Sequence, residues 1–208
     1  MNRLLAAGGR VLAFGAHPDD LEVGAGGLLA RLARDGCKVT MCVVAVPNMG
    51  EHRVPEARAA AKVIGATPFI LFEEKPARVE DIPMHELVRR MDQLVGDTQP
   101  DLVITHSAHD LHWDHGLVNR ATVSALRRTP CDLLAFLSSP EMNAQHRAIG
   151  QCFADITSTL EIKIAAIQEH KSQLSKLDIE SSKDLARAMG RISGYGYAEA
   201  FEALRVRL

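Results

Sequence analysis

The chain alternates short apolar runs with amphipathic segments along most of its length. Five runs are rich in β-branched and aromatic residues and lack a polar face, namely residues 10–16, 38–46, 68–74, 101–107 and 132–139. Continuous hydrophobicity over so few residues is typical of parallel strands that are covered on both faces. Each run therefore predicts one strand of a buried sheet.

Between these runs, apolar residues recur at helical spacing, in segments 20–36, 54–66, 84–97 and 114–128. Several of the segments end at Gly, as helices commonly do. The alternation predicts an α/β fold, a single-domain Rossmann-like, open and mostly parallel β-sheet with helices on both faces. Such sheets bind ligands outside the carboxyl ends of their strands, which is where polar residues follow two of these runs.

The last quarter of the chain has a less regular pattern. It predicts a further strand over residues 152–157, a long helix from about Ser158 to about Lys176, and a polar stretch. A helical stretch, a Gly-rich turn and an aromatic-acidic cluster, YAEAF, follow. No repeat or flexible linker divides the sequence, and 208 residues suit one core, so we expect a single domain over 1–208.

Composition and charge narrow the classes of function. A formal net charge of −2 gives no basic field for a nucleic acid, so we expect a small-molecule substrate and a homo-oligomer. The four cysteines form no CxxC pair and are expected to be reduced and mostly buried. The first residues lack an apolar stretch of signal length, and no run approaches a membrane span, which predicts a cytoplasmic protein.

The sequence HPDD follows the first predicted strand and carries the first candidate chemistry. His17 and Asp20 lie three apart on the turn between strand and helix, so both can point into one pocket. Zinc binds imidazole nitrogen and carboxylate oxygen, and a catalytic zinc site has three protein ligands and an open position. Asp19 is then available as a general base. The alternative is that one of the two aspartates only caps the helix.

A second polar cluster, HSAHDLHWDH, follows the fourth predicted strand. It holds four histidines and two aspartates within residues 106–115. Packing does not explain that density, because His and Asp gain nothing in a core without partners. His112, Asp114 and His115 form an HxDH element at a helix start, so one of them can supply the third metal ligand while another faces the substrate.

AHPDD and HxDH, in this order and each after a strand, resemble the motifs of the LmbE-like zinc de-N-acetylases, the PIG-L family. RVPEARAAAKVIGA, EHKSQ and YAEAF resemble weaker motifs of the family, so the resemblance extends over nearly the whole chain. Two positions depart from the pattern. The usual glutamate after the two aspartates is displaced to Glu22, and Trp113 replaces a proline.

The resemblance implies a ligand set and a base. His17, Asp20 and His115 match the zinc ligands of the family. Asp19 matches the general base that takes a proton from water and later delivers it to the leaving amine. Zn²⁺ is therefore the expected cofactor.

Other site residues are also implied by the resemblance. His112 matches a histidine that polarises the carbonyl and stabilises the oxyanion, which we expect to be protonated, and Asp114 is expected to orient it and raise its basicity. Arg53 and His170 are expected to face the substrate pocket. Trp113 offers a ring that can lie against an apolar sugar face.

The implied activity is zinc-dependent hydrolysis of the acetamide of an N-acetylglucosaminyl-type sugar. A non-catalytic metal-dependent sensor or assembly protein is the main alternative, and it leaves Asp19 without a purpose. A dinucleotide-binding module is less favoured, because Gly24, Gly26 and Gly27 lie inside the predicted helix and not in a GxGxxG turn off the strand.

Four polar residues keep two interpretations each. His106 and His109 either line the pocket or satisfy turn backbone, and we favour the structural role. Asp110 either holds a ligand histidine in its tautomer or starts a helix. Glu199 is expected to be a structural hydrogen-bonding partner. The segment 140–151 is too short for a long lid, so we expect an open pocket.

Overall fold

The structure is a computed structural model and describes residues 5–74, 77–136, 150 and 152–207. In this part of the chain, seven strands form one sheet. The strands are β1 Arg10–Gly15, β2 Lys38–Val43, β3 Thr67–Ile70, β4 Leu102–His106, β5 Asp132–Phe136, β6 Cys152–Asp155 and β7 Ala198–Arg205. The α-helices are α1 Asp20–Arg34, α2 Gly50–Ile64, α3 Met84–Thr98, α4 Trp113–Ala125, α5 Leu160–Gln168 and α6 Ile179–Ser193. Short 3₁₀ turns cover Val79–Asp81 and Lys171–Gln173.

The sheet has the order β3-β2-β1-β4-β5-β7-β6. Strands β1 to β5 pair in parallel, and β7 pairs antiparallel with both β5 and β6. The chain builds outward from β1 to β3 and then returns to place β4 on the other side of β1. The crevice between the carboxyl ends of β1 and β4 is therefore the switch point at which ligands bind in open α/β sheets.

Alternate residues of β1 enter two apolar cores, one on each face of the sheet. Val11 and Ala13 pack with α1, α2 and α5, whereas Leu12 and Phe14 pack with α3 and α4. Burial of a side chain such as Phe14 contributes roughly 1.5–3 kcal/mol. Helices on both faces confirm the predicted Rossmann-like, mostly parallel fold.

The predicted strands and helices before residue 137 are all present, with shifted ends. The predicted strand 132–139 extends into residues that lie outside the described part, as does most of segment 140–151. Helix α2 begins at Gly50, not at Val54, so Pro55, a residue that favours the first helical turn, lies inside the helix. None of the helices in the described ranges is long and apolar enough to span a membrane.

In the last quarter of the chain, one prediction was wrong and one strand was not predicted. The helix predicted to continue to about Lys176 ends at Gln168, and a 3₁₀ turn follows. The chain leaves the helix because the amide and hydroxyl of Ser172 both donate to the carboxylate of Glu56, at 2.8 and 2.6 Å. The aromatic-acidic cluster is part of β7, whose Glu199 is buried with hydrogen-bonding partners.

Glu199 is the structural partner that we expected, and it joins β7 to the middle of α1. Its two oxygens accept from the backbone N–H groups of Gly27 and Leu28, both at 2.8 Å. Lys163, which the sequence analysis did not single out, donates to Glu199 at 2.6 Å and to the carbonyl of Val23 at 2.7 Å. A buried charge pair is retained only when such bonds satisfy it.

The glycines of α1 have a packing role. A Cβ at Gly24 would lie 2.1 Å from Cδ2 of Phe136, and a Cβ at Gly27 would lie 2.7 Å from Cγ2 of Ile156. Close approach of α1 to the sheet and to the segment after β6 therefore requires glycine at both positions. Packing therefore accounts for Gly24 and Gly27, and no dinucleotide site is needed to explain them.

We predict that Gly24→Ala lowers the free energy of unfolding by about 1–3 kcal/mol, because the added methyl group overpacks the contact with Phe136. Gly96→Ala is the matched control, since Gly96 is also helical and a Cβ there would meet nothing within 4 Å. The control should raise stability by roughly 0.5–1 kcal/mol. Urea denaturation measures both; a Gly24→Ala protein as stable as the control would contradict the packing account.

Candidate metal centre and active site

The two polar motifs meet at the switch point of the sheet. β1 and β4 are hydrogen-bonded neighbours, so the turn after β1 and the segment after β4 share one edge. The first supplies HPDD and the second supplies HxDH at the start of α4. Parallel pairing thus brings together residues that are about ninety positions apart.

The β1–α1 turn directs its two aspartates differently. Asp19 has φ 93°, in the left-handed region that non-glycine residues rarely adopt. Its carboxylate faces Arg53, whose Nη2 lies 3.4 Å from Oδ2. The carboxylate of Asp20 turns back over the loop and accepts from the backbone N–H of His17 at 2.7 Å.

Asp20 is surrounded by imidazole rings. Its Oδ1 lies 3.4 Å from Nε2 of His115, and its Oδ2 lies 3.2 Å from Nε2 of His106 and 3.7 Å from Nδ1 of His17. Burial opposes the charged carboxylate, yet the positive charge of His115 holds the pKa of Asp20 well below its usual range. The carboxylate is therefore ionised and available as a ligand.

His17, Asp20 and His115 fit a metal ion. One donor atom from each lies within 4.8 Å of the other two, and the set has two imidazoles and one carboxylate. This donor chemistry is typical of catalytic zinc and unlike the oxygen-rich sites of magnesium. Although burial disfavours the cation, Asp20 and Asp110 raise the pKa of His115 to about 10, so in the protein alone this ring carries the positive charge.

His106, Asp110 and His115 form a second group with the spacing of a metal site. His106 is fully buried, and its Nε2 accepts from the backbone N–H of Ala16 at 3.0 Å. Burial, then the charge of His115, lowers the pKa of His106 to about 4, so the ring is neutral. His106 therefore has the structural role that we favoured, and it fixes the end of β1.

Asp19 has the environment of a base that works near neutral pH. Its carboxylate is 16% exposed and next to the ligand set. Burial, then the charge of Asp20, raises the pKa of Asp19 to about 7, while Arg53 and His170 act in the opposite direction. A group with such a pKa can both accept and return a proton at neutral pH.

His112 and Trp113 lie at the mouth of the site. The ring of His112 stacks on His115, with centroids 4.5 Å apart, and Trp113 is 63% exposed. Nδ1 of His112 accepts from the backbone N–H of Asp114 at 3.2 Å, which leaves the ring proton on Nε2. Burial and the neighbouring His115 and His17 lower the pKa of His112. Both observations favour a neutral N–H donor over the protonated ring that we expected.

The carboxylate of Asp114 contacts a different histidine from the one expected. Its Oδ2 lies 2.9 Å from Nε2 of His17, and the residue meets His112 through its backbone N–H. Its charge still acts to raise the pKa of His112, against the larger effect of burial. The role of Asp114 in orienting His112 stays a prediction.

Arg53 and His170 are buried behind the base. Arg53 is 7% exposed, and its Nη2 donates to the carbonyl of Pro18 at 3.0 Å. His170 is completely buried, with Nε2 3.3 Å from Oε1 of Glu22. Contact with a substrate stays a prediction for both residues. Glu22 was missed as a partner because its displaced position in the motif gave no signal of a contact with His170.

His109 lies on the exposed turn after β4, where its backbone N–H donates to the hydroxyl of Ser107 at 3.0 Å. Asp110 follows it, and its Oδ2 lies 2.9 Å from Nδ1 of His115. Of the two interpretations of Asp110, this contact favours the one in which it holds a ligand histidine.

Comparison with known proteins places this site in context. Residues 12–126 match the PIG-L family model, described as GlcNAc-PI de-N-acetylase. The uncharacterized deacetylase YaiS of Escherichia coli is 28% identical over 172 residues, which cover 78% of this chain and 90% of YaiS. Diacetylchitobiose deacetylase of Thermococcus kodakarensis is 24% identical over 218 residues, covering 91% and 81% of the two chains.

The fold of this chain is similar to that of proteins with solved structures. The crystal structure of GalB, the 4-carboxy-2-hydroxymuconate hydratase of Pseudomonas putida, superposes with a TM-score of 0.80 and 23% identity. The match covers 96% of this chain and 98% of GalB. At this identity the likeness shows the fold alone.

We predict that Arg53→Met lowers the free energy of unfolding by about 1–3 kcal/mol, because a buried carbonyl and the Asp19 carboxylate lose a charged donor. The matched control is Arg58→Met on the same helix. Arg58 pairs with Glu73 at 2.7 Å, but both side chains are about half exposed, so the change should stay within roughly 0.5 kcal/mol. Equal urea midpoints for the two variants would show that Arg53 has no supporting role.

Proposed function

The chain belongs to the PIG-L family, and from this we propose that it is a zinc-dependent hydrolase that removes the acetyl group from an N-acetylated amino sugar. One observation carries the proposal. Donor atoms of His17, Asp20 and His115 converge within 4.8 Å, and the buried carboxylate of Asp19 lies beside them. A ligand set with an adjacent base is the arrangement that metal-assisted hydrolysis needs.

Zinc held by His17, Asp20 and His115 would lower the pKa of a water to about 7 and polarise the amide carbonyl. Asp19 takes the proton from the attacking water. The Nε2–H of His112 donates to the oxygen on which negative charge develops, as an oxyanion-hole donor does. Asp19 then returns its proton to the amine nitrogen, so the products are acetate and a free amino sugar.

Support for a sugar substrate comes from the relatives and from the mouth of the site. The T. kodakarensis relative is a diacetylchitobiose deacetylase, and Trp113 exposes an aromatic face next to His112. We propose an N-acetylglucosamine-type mono- or disaccharide compound as substrate. A cytoplasmic location, a homo-oligomer, the absence of a nucleic-acid partner and a single domain over 1–208 stay predictions.

The structural similarity to GalB suggests hydration as one competing activity. A hydratase also uses an activated water, but it adds that water to an unsaturated carboxylate and releases no acetate. In this chain the two activities would therefore differ in the electrophile, and either would need a base such as Asp19. A sensor or assembly protein would need the metal ligands but not Asp19.

We predict about one zinc per chain and metal-dependent release of acetate from N-acetylglucosamine compounds. His115→Ala should lose zinc, because a ligand is removed. Asp19→Asn should keep zinc but lose most turnover, because the ligand set is intact and the base is gone. Equilibrium dialysis measures zinc binding by each variant, and an acetate assay at matched zinc content measures turnover.

The outcomes of this assay separate the alternatives. Full zinc occupancy in His115→Ala would remove this residue from the ligand set. Zinc binding without acetate release, but with hydration of an unsaturated carboxylate that Asp19→Asn abolishes, would favour the hydratase. Near-normal turnover of Asp19→Asn with bound zinc would overturn the mechanism.

We predict that Trp113→Ala raises KM more than it lowers kcat, because stacking on a sugar stabilises the ground state and the transition state alike. His112→Ala should instead lower kcat by roughly 10²- to 10³-fold, the scale of one oxyanion donor. Val123→Ala, an exposed position near the other end of α4, is the control and should leave both constants unchanged. An unchanged KM for Trp113→Ala would exclude it as a binding platform.

A further inference from the structure

Each histidine of the proposed ligand set lies between Asp20 and a second carboxylate. His17 directs Nδ1 toward Asp20 Oδ2, at 3.7 Å, and its Nε2 lies 2.9 Å from Oδ2 of Asp114. His115 directs Nε2 toward Asp20 Oδ1, at 3.4 Å, and its Nδ1 lies 2.9 Å from Oδ2 of Asp110. One nitrogen of each ring thus faces the ligand set, and the other faces an acid.

This arrangement selects the tautomer of both rings. A neutral imidazole has one N–H and one lone pair. When the hydrogen is on the outer nitrogen, which faces Asp114 or Asp110 at 2.9 Å, the inner nitrogen keeps the lone pair that a metal needs. Carboxylates in this position fix the orientation of ligating histidines and raise their basicity.

We propose that Asp114 and Asp110 are positioning residues for the metal, Asp114 through His17 and Asp110 through His115. The assignment rests on the proposed function, since it takes His17 and His115 as ligands. It gives Asp114 a different partner from the one that its sequence motif implied. It also gives a function to Asp110, whose side chain is completely buried although it lies on an exposed turn.

Asp110 is held firmly enough to orient its partner. Its Oδ1 accepts from the backbone N–H of His112 at 2.9 Å, which leaves Oδ2 for His115. The two oxygens therefore fix the start of α4 and the ring of His115 together. Asp114 is similarly anchored, because its backbone N–H donates to His112 while its carboxylate meets His17.

The same geometry disfavours a second ion between His106, Asp110 and His115. The rings of His106 and His115 are stacked, with centroids 3.8 Å apart and planes at 19°. Their in-plane lone pairs therefore lie in nearly parallel planes and do not converge on one ion. A neutral His115 has one lone pair, and the first site uses it. Nε2 of His106 already accepts from Ala16.

The test measures zinc affinity by competition with a chromophoric chelator for the wild type, Asp110→Asn and Asp114→Asn. Each variant should bind zinc about 10- to 100-fold more weakly, with one zinc per chain. Asp92→Asn, which removes a half-exposed partner of Arg127, is the control and should bind like the wild type. Urea midpoints in excess chelator show whether the metal-free fold has changed.

Further variants keep the test decisive if an Asn substitution prevents folding. Asp110→Glu and Asp114→Glu retain an acceptor and should recover most of the zinc affinity. A merely structural role would instead lower the chelator-treated urea midpoint without changing the affinity of the molecules that remain folded.

The possible results distinguish this inference from the proposed function. A wild type that binds no zinc would contradict the proposed function itself. Wild-type zinc affinity in both Asn variants would overturn the positioning roles alone. Two zinc ions in the wild type and one in Asp110→Asn would show that Asp110 is a ligand of a second site and would overturn its assignment.

Discussion

The buried carboxylate of Asp20 is the constraint around which the end of the sheet is organised. An ionised group that is 12% exposed requires compensating charge and hydrogen bonds. The backbone N–H of His17 supplies a hydrogen bond, and the cationic ring of His115 supplies charge. These partners come from the segments after β1 and β4, so Asp20 is satisfied only when the two strands are paired. The same demand for positive charge makes the position suitable for a metal ion.

The left-handed backbone of Asp19 explains how two neighbouring aspartates can serve different purposes. In a regular helix or strand, the directions of two successive side chains are set by the period of that element. At φ 93°, Asp19 turns toward Arg53, and Asp20 turns toward the histidines. A non-glycine residue in this conformation is strained, and surrounding contacts must hold it. Arg53 provides such a contact through the carbonyl of Pro18.

Much of the fold and the main site follow from local pattern, and what was missed depends on distant partners. Apolar runs mark β1 to β5, and HPDD stands out because polar residues follow a buried strand. β7 was missed because its short aromatic-acidic pattern gave no strand signal, whereas Glu199 has the structural role that was expected, through its bonds to Gly27 and Leu28 across the fold. His170 was expected to face the substrate pocket from a long helix, and its burial against Glu22 was not predicted. Residue spacing contains no information about such pairs.

The division between buried and exposed groups separates the part of the candidate site that the fold fixes from the part that can vary. The groups of the candidate metal centre and the carboxylate of Asp19 are largely buried and contact one another, so substitution of one disturbs several. His112 and Trp113 lie at the surface, and the ring of His112 also contacts the rings of His17 and His115. Exposed side chains can change with little effect on the fold, because surface substitutions away from such bonds have small energies. For the proposed hydrolase, we therefore expect residues at the mouth to select the electrophile, whereas the groups proposed to activate water lie at the sheet edge.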